Sequence, residues 1–195
     1  MKKNLLISVW MTVAITILLG IIYPLVVTGL AQVLFKDKAN GQLIVQSGRV
    51  AGSRLIGQAF TGAAYFHSRP SAAGSGYDAA NSSASNLGPT NRNLIERLKA
   101  SVATEGGGSN QPVPIDLVTT SGSGLDPHIS PAAAEFQIAR VARERGIKVD
   151  GLRELVLKHT EGRQLGFLGE ARVNVLELNL ELDARFPLRK QAEAK

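Results

Sequence analysis

Residues 5–35 read LLISVWMTVAITILLGIIYPLVVTGLAQVLF and contain no charged residue. About 20 apolar residues are enough to cross the hydrocarbon core of a bilayer as a helix, and this run of 31 exceeds that length. A cleaved secretory signal would have a shorter apolar region of about 7–15 residues. We therefore predict a retained transmembrane helix at about residues 5–30, inside an N-terminal segment that covers residues 1–35. Pro24 lacks a backbone donor, so it is expected to kink this helix or to mark its exit from the membrane.

The charges that flank this helix predict its orientation. The N-terminal amine, Lys2 and Lys3 precede it, whereas Lys36 and Lys38 follow it. Cations close to a span favour the cytoplasmic side, and three residues leave no room for a folded domain before the span. We therefore expect the N-terminus in the cytoplasm and residues 36–195 as a soluble domain on the opposite side.

The composition of the chain excludes several kinds of site. The formal charge of +6 comes from dispersed basic residues, and the densest group contains Arg140, Arg143 and Arg145 with acidic residues among them. Such a group is typical of a solvated helix face, and the charge favours an anionic membrane surface or an acidic partner over nucleic acid. The chain has no cysteine, which excludes disulfides and thiolate metal sites. About 160 residues follow the helix, enough for one domain with its own core.

The soluble part begins with strand patterns and continues into a polar loop. Residues 43–45, 49–50 and 55–56 are short segments between turn residues, and we predict short strands there. Residues 68–93 are rich in Ser, Asn, Gly and Ala and offer little to a core. This composition is typical of a flexible linker, but a loop of this length in a compact domain is often functional. We favour an ordered contact loop.

The middle of the chain predicts a helix, a break and an extended segment. Residues 94–102 have a short helical pattern, with Asn91 or Asn93 as the candidate N-cap. Residues 106–109 read as a flexible break. Residues 112–117 should be extended, because residues that precede prolines are pushed towards β or polyproline geometry.

Two further helices are predicted after residue 130. Ser130 and Pro131 form a strong helix start, because the hydroxyl accepts a free N–H and proline needs no donor in the first turn. Gly146 is expected to end this helix. Asp150 is expected to cap a second helix over residues 152–158. The buried stripe of the first helix is predicted to contain Ala134, Ile138, Val141 and Ala142.

Residues 176–182, LELNLEL, are ambiguous between strand and helix. Their apolar and polar residues alternate, which is a strand pattern. However, Leu, Glu and Asn are poor strand formers, and Asn174 followed by Glu177 fits a capping box, so a helix is favoured. The predicted fold class is a single N-terminal transmembrane helix followed by a mixed α/β soluble domain.

The usual catalytic and cofactor-binding patterns do not occur. His67, His128 and His159 are scattered and lack a metal-ligand spacing. Residues 121–124, SGSG, do not fit the G-x-S-x-G nucleophile motif, and the sequence contains no P-loop or dinucleotide fingerprint. These observations indicate an accessory subunit rather than an enzyme, with small residues that let partner helices approach the membrane helix closely. The small residues on that helix are Ala14, Gly20, Gly29 and Ala31.

Several sequence blocks resemble one known family, and they follow its order along the whole chain. The blocks are SRLIGQAF (residues 53–60), YFHSRPS (65–71), SNLGPTN (85–91), the stretch 116–134 containing GLDPHISP, and RVNVLELNL (172–180). They are similar to the C subunit of the bacterial Kdp potassium-transporting P-type ATPase.

This resemblance implies an accessory, non-catalytic subunit of an ATP-driven, high-affinity potassium uptake complex in the bacterial inner membrane. In that membrane, the orientation predicted from the flanking charges places the soluble domain in the periplasm. The implied partners are a potassium-pathway subunit, a P-type ATPase subunit and a small single-helix subunit. The family is described as needed for assembly and as a catalytic chaperone that raises the ATP affinity of the pump subunit. The family description also leaves a direct contact with ATP open. However, cytoplasmic ATP and a periplasmic domain would not meet, so we expect partner subunits to handle ATP and potassium, with an effect transmitted through the helices.

The candidate partner-contact residues lie in the loops, and two other functions remain open. The candidates are Arg69, Tyr77, Asp78, Arg92, Asp126 and His128. Arg69 and Arg92 border the polar loop and are expected to contact the pore subunit, because a guanidinium can bond in two places at once. In one alternative, the domain is a periplasmic solute-capture module that delivers potassium, with Asp78, Asp116 and Asp126 as oxygen ligands. In the other, it is a tethered hydrolase that uses Ser123, Asp126 and His128.

Overall fold

The computed structural model describes residues 1–46, 48–106 and 111–188. The chain divides into two compact units, Met1–Ala51 and Gly52–Lys195. The first unit contains the apolar helix, and the second contains a small sheet and several helices around one core. The predicted fold class is therefore confirmed. The predicted break at residues 106–109 falls almost entirely outside the described residues.

The apolar run forms a continuous helical segment. It consists of α1 (Lys2–Ile17), a π-helical turn (Leu18–Ile22) and α2 (Tyr23–Leu34), and the short helix α3 (Lys36–Ala39) follows. The 33 residues of Lys2–Leu34 are long and apolar enough to cross a membrane, and their apolar window is not buried in the protein. Pro24 lies in the first turn of α2, and the helix continues past it. The wider π turn directly before Pro24 accommodates the missing backbone donor.

A β-hairpin follows, as the sequence predicts. Strands β1 (Leu43–Gln46) and β2 (Arg49–Ser53) form a two-stranded sheet. The predicted strand at residues 55–56 is wrong, because the chain turns there. The Ile56 N–H donates to the Ser53 carbonyl, and the Gly57 N–H then donates to the Leu125 carbonyl at 2.8 Å.

Residues 54–91 contain neither helix nor strand, and helix α4 (Arg92–Gly106) follows them. This helix confirms the prediction over residues 94–102 and is longer at both ends. The Asn91 side chain accepts from the Asn93 N–H, so Asn91 and not Asn93 caps this helix. The extended geometry predicted for residues 112–117 is wrong in its second half. A 3-10 turn (Ile115–Leu117) forms there and places Leu117 in the core.

Helices α5 (Pro131–Arg145) and α6 (Val149–Lys158) pack against each other. Ser130 caps α5 by accepting from the Ala133 N–H, and Gly146 ends it with a left-handed backbone, as predicted. The predicted cap of α6 is wrong. Asp150 lies inside the first turn, where its carboxylate pairs with Arg153 at 3.3 Å, and the N-cap position is Lys148.

The sheet of the second unit is small and antiparallel. Its strand order is β3 (His128–Ile129), β5 (Arg172–Asn174) and β4 (Thr160–Glu161). Ile129 and Thr160 both lie opposite Val173, which is fully buried. The chain leaves β5 directly into α7 (Val175–Arg185), because the Asn174 side chain accepts from the Glu177 N–H and caps the helix. The helix favoured over residues 176–182 is therefore confirmed.

The arginine group of α5 is not a solvated face, so that prediction is wrong for two of its three members. Arg145 has a side chain only 1% exposed, and its guanidinium donates to Asp183 and to two backbone carbonyls. It also lies over the Tyr65 ring, 4.7 Å from the centroid. Arg140 donates to the carbonyls of Ala63 and Tyr65. Arg143 alone of the three points largely into solvent.

Candidate functional site

Arg69 joins two irregular segments of the domain. Its Nη1 donates to Asp126 Oδ2 at 3.2 Å, and its Nη2 donates to the Thr120 carbonyl at 3.2 Å. Its Nε donates to the Thr119 carbonyl at 3.4 Å. All three nitrogens of the guanidinium therefore bond within the chain, and the side chain is about a quarter exposed.

Tyr77 and Ser71 fold the polar loop back onto Arg69. The Tyr77 hydroxyl donates to the Arg69 carbonyl, and the Tyr77 N–H donates to Ser71 Oγ at 2.8 Å. Ser71 Oγ in turn donates to the Gly124 carbonyl at 2.6 Å. Tyr77 has a left-handed backbone (φ 56°), which these bonds hold in place. Burial raises the pKa of its phenol, so the hydroxyl stays protonated at neutral pH and remains a donor.

Asp126 is the carboxylate at the centre of this cluster. Its Oδ1 accepts from the His128 N–H at 3.0 Å, and the His128 ring nitrogen Nδ1 lies 3.6 Å away. Burial acts to raise the pKa of Asp126, but the hydrogen bonds from His128 and the charge of Arg69 outweigh it and lower that pKa. The group is therefore an ionised carboxylate that is already matched by donors of the same chain.

The structure brings four of the six candidate residues together and places two elsewhere. Arg69, Tyr77, Asp126 and His128 form the cluster described above. Asp78 accepts instead from the Ala80 N–H and from Asn81 Nδ2 at 2.6 Å, and these bonds lower its pKa, the Asn81 bond having the larger effect. Arg92 begins α4, where its side chain is 87% exposed and pairs with Glu96 at 2.9 Å.

Arg69 lines two cavities. One, of about 350 Å³, is lined by Tyr77, Arg97 and the His67–Glu105 pair, whose nearest atoms are 2.9 Å apart. Arg97 Nε is buried there without a hydrogen-bond partner among the described residues. The other, of about 410 Å³, has the following charged or titratable lining residues: Arg69, Asp116, Asp126, His128, Glu170 and Arg172.

The aspartates proposed for potassium capture are occupied by donors of the chain. Asp116 Oδ2 accepts from the Ser130 N–H at 2.6 Å, and Asp126 is held by Arg69 and His128. Asp78 does not line the cavity that the other two share. Across residues 1–46, 48–106 and 111–188, no three His, Asp or Glu side chains are grouped so that they could hold a metal ion.

Ser123 does not have the surroundings of a nucleophile. Its Oγ accepts from the Leu125 N–H at 3.1 Å and lies 3.5 Å from Ser121 Oγ. Asp126 directs its two oxygens to Arg69 and to the backbone of His128. A serine hydroxyl is activated when a base lies within hydrogen-bond reach, and neither partner of Ser123 is a base.

Sequence reasoning missed the two buried amides that hold Phe66 and His67 within the irregular segment, residues 54–91. Asn179 accepts from the Phe66 N–H and donates to the Phe66 carbonyl, both at 2.9 Å. Gln137 accepts from the His67 N–H at 2.7 Å and donates to the His67 carbonyl at 3.2 Å. Each amide therefore pairs both backbone groups of one residue, as a neighbouring strand would. The sequence did contain a signal that Gln137 is buried, because this residue follows Ala134 by three positions and so lies on the predicted buried stripe.

The fold and the site together indicate the class of protein, a mixed helix-and-sheet domain that follows a candidate membrane helix. Among the residues that the structure describes, one N-terminal helix is long and apolar enough to cross a membrane, and a mixed helix-and-sheet domain follows it. The charged groups of the candidate site bond with one another and with backbone groups, which is the arrangement of a structural ion-pair network.

Comparisons with known proteins then show the family. Residues 5–184 match the family model described as "KdpC: K+-transporting ATPase, c chain". A potassium-transporting ATPase KdpC subunit of Koribacter versatilis is 65% identical over 189 residues, 96% of this chain and 98% of the relative. KdpC subunits of Rhodospirillum rubrum (61% over 178 residues; 90% and 92% covered) and Acidobacterium capsulatum (54% over 176; 90% and 95%) are also similar. The chain belongs to the KdpC family, which confirms the resemblance seen in the sequence.

Proposed function

We propose that this chain is a non-catalytic accessory subunit that an ATP-driven potassium uptake complex needs for its assembly. This proposal rests on one observation about the candidate site: its charged groups already have partners within the chain. Arg69, Asp126 and His128 bond with one another and with backbone groups. Such a site offers a shaped, polar surface to a protein partner. The KdpC subunits to which the chain is similar are named as parts of a potassium-transporting ATPase, and we infer the same setting here.

The proposed location is the bacterial inner membrane, with the N-terminus in the cytoplasm and the domain in the periplasm. The support is the charge pattern: the N-terminal amine, Lys2 and Lys3 precede the candidate span, and cations favour the cytoplasmic side. A reporter that is active only in the cytoplasm, fused after Lys195, should be silent. Strong activity of that fusion would reverse the proposed orientation.

The proposed partners are the potassium-pathway subunit, the P-type ATPase subunit and the small single-helix subunit of the complex. We propose that the chain raises the ATP affinity of the pump subunit through helix contacts in the membrane, without binding ATP. Small residues such as Gly29, where an added Cβ would meet no other atom of the chain, leave room for a partner helix.

Of the predicted contact residues, Arg92 is the better probe of a docking loop. The Arg92 guanidinium is largely exposed, whereas all three guanidinium nitrogens of Arg69 donate hydrogen bonds within the domain. Arg92→Ala should therefore weaken the complex in detergent and leave the thermal stability of the free chain unchanged. Arg69→Ala should lower the stability of the free chain as well.

Co-expression of all four subunits tests the function. Without this chain, the other three subunits should co-purify poorly and lose potassium-stimulated ATP hydrolysis. A chain whose residues 5–30 are replaced by an unrelated membrane helix should assemble less well, and the complex should show a raised KM for ATP. Full assembly and normal hydrolysis without the chain would refute the accessory role.

The alternative function, potassium capture, is tested in the same preparation. Asp78→Asn, Asp116→Asn and Asp126→Asn should each leave the potassium affinity of the assembled complex within about twofold of the unaltered protein, because an ion site needs several oxygens held together. A common loss of roughly tenfold or more, with assembly intact, would favour capture instead.

A further inference from the structure

The loop between β4 and β5 carries an apolar tip on the protein surface. Leu165 is 83% exposed, Phe167 is 69% exposed and Leu168 is about half exposed. These three side chains occupy four consecutive positions, with Gly166 between them. Large apolar side chains that cluster on a surface mark interaction sites more often than scattered ones do. We refer to residues 164–168 as the apolar tip.

The backbone of the apolar tip is held in one conformation by local bonds. Gln164 and Leu168 exchange both of their backbone hydrogen bonds, each at 2.9 Å. Leu165 has a left-handed backbone (φ 52°) and Gly166 follows with φ 81°. A leucine rarely adopts this conformation, so the bonds around it fix an arrangement that exposes the side chain instead of burying it. The tip is therefore a preorganised projection.

Ion pairs at the base of the tip leave no excess of positive charge. Arg163 donates to both carboxylate oxygens of Glu170, at 2.8 and 2.7 Å, and Arg172 pairs with Glu161 at 2.9 Å. Loops that bind anionic lipid carry an excess of Lys and Arg beside their apolar residues, and this base carries equal numbers of both signs. An apolar centre with a rim of balanced polar groups is instead the pattern of a protein interface.

The tip is also continuous with the candidate site. Glu170 and Arg172, which form its base, line the cavity that contains Asp126 and His128. One partner surface could therefore contact both the apolar tip and the charged cluster. We propose that the apolar tip is a docking element that inserts into an apolar recess of another subunit of the potassium-transporting ATPase. This inference rests on the proposed accessory function.

The main test changes the tip without weakening its fold. Asn tolerates a left-handed backbone better than Leu does, so Leu165→Asn combined with Phe167→Ser removes apolar surface while easing the local conformation. The full-length double variant should bind the other three subunits in detergent roughly tenfold or more weakly than the unaltered chain. Its thermal unfolding as a free chain should be unchanged. The control is Leu157→Ser, which removes an exposed leucine from α6 and should not alter the affinity.

A second measurement identifies what covers the tip. The chain has no cysteine, so Phe167→Cys provides one attachment point for an environment-sensitive fluorophore on the full-length chain in phosphatidylcholine vesicles. The emission should shift to the blue only when the other three subunits are reconstituted with it. A shift in vesicles alone or in vesicles containing anionic lipid would show a membrane contact, and a shift that follows the density of this chain alone would show self-association. Either result, or no shift at all, overturns the proposal.

The two readouts separate failure of this inference from failure of the proposed function. If the unaltered chain does not bind the other subunits, the accessory function is wrong and the tip has no such partner. If the unaltered chain binds and the double variant binds equally well, the accessory function stands and the docking role of the tip is wrong.

Discussion

Asn179→Leu should destabilise the domain strongly, although it replaces a polar side chain in a hydrophobic core by an apolar one. Leucine has the same number of side-chain heavy atoms and the same branch point as asparagine. However, Asn179 is fully buried and pairs with both the N–H and the carbonyl of Phe66, which is also fully buried. The variant would leave two buried backbone groups without partners.

The magnitude follows from these two groups. Each buried polar group that loses its partner costs about 1–3 kcal/mol, so the variant should lose roughly 2–6 kcal/mol of unfolding free energy. For a domain of this size, at about 3 °C per kcal/mol, that corresponds to a fall in Tm of about 6–18 °C. Calorimetry of the full-length chain in detergent would measure it. Hydrogen exchange at the Phe66 amide should become faster in the same variant, because its acceptor is gone.

The matched control is Asn81→Leu, the same chemical change at an exposed position. The side chain of Asn81 donates to the neighbouring carboxylate of Asp78, and surface substitutions of this kind usually change stability by about 0.5 kcal/mol or less. If Asn179→Leu lowers Tm no more than Asn81→Leu does, and the Phe66 amide keeps its protection, the amide does not anchor the irregular segment.

Three further predictions concern charge and backbone geometry. Lys158, together with other basic neighbours, lowers the pKa of Glu181 to about 2, so stability should fall as the pH drops from about 4.5 towards 2; Tm measured against pH should show a smaller fall for Glu181→Gln. Gly124→Ala should lower Tm, because Gly124 has a φ of 66° and an added Cβ would lie 2.6 Å from a backbone oxygen; Gly122→Ala, where a Cβ meets nothing, should leave Tm unchanged. Arg145→Met should cost about 2–4 kcal/mol in denaturant unfolding, because it leaves two backbone carbonyls without their donor and removes the pair with the partly exposed Asp183, and a cost below ~1 kcal/mol would contradict the buried role of Arg145.

The elements with strong local signals could be predicted from the sequence. The apolar run, the Ser130–Pro131 start and the Gly146 end of α5 each depend on residues close in the chain, and each is confirmed. The capping box at Asn174 decided correctly between helix and strand over residues 176–182. In that case a local hydrogen bond was a better guide than the alternation of apolar and polar residues.

The rest of the site could not be predicted, because its contacts join residues far apart in the chain. Arg145 looks like a surface cation from its acidic neighbours, but it is buried against Tyr65 and Asp183. Arg69 and Asp126 are separated by 57 positions and pair across two irregular segments. Nothing in their local sequence specifies the partner, so sequence reasoning found the residues and missed the bonds between them.

These long-range bonds explain how a long irregular segment can present a fixed surface. Residues 54–91 lack helix and strand, so their backbone groups need partners other than a regular ladder. Gln137 and Asn179 supply such partners from two helices, and Arg145 supplies another for the Ala64 carbonyl at 2.7 Å. Each donor comes from a helix of the core, so the segment is fixed to the most stable part of the domain. We therefore expect the surface around Arg69 to change little when a partner binds, and affinity to depend on the fit of preformed groups rather than on ordering of a loop.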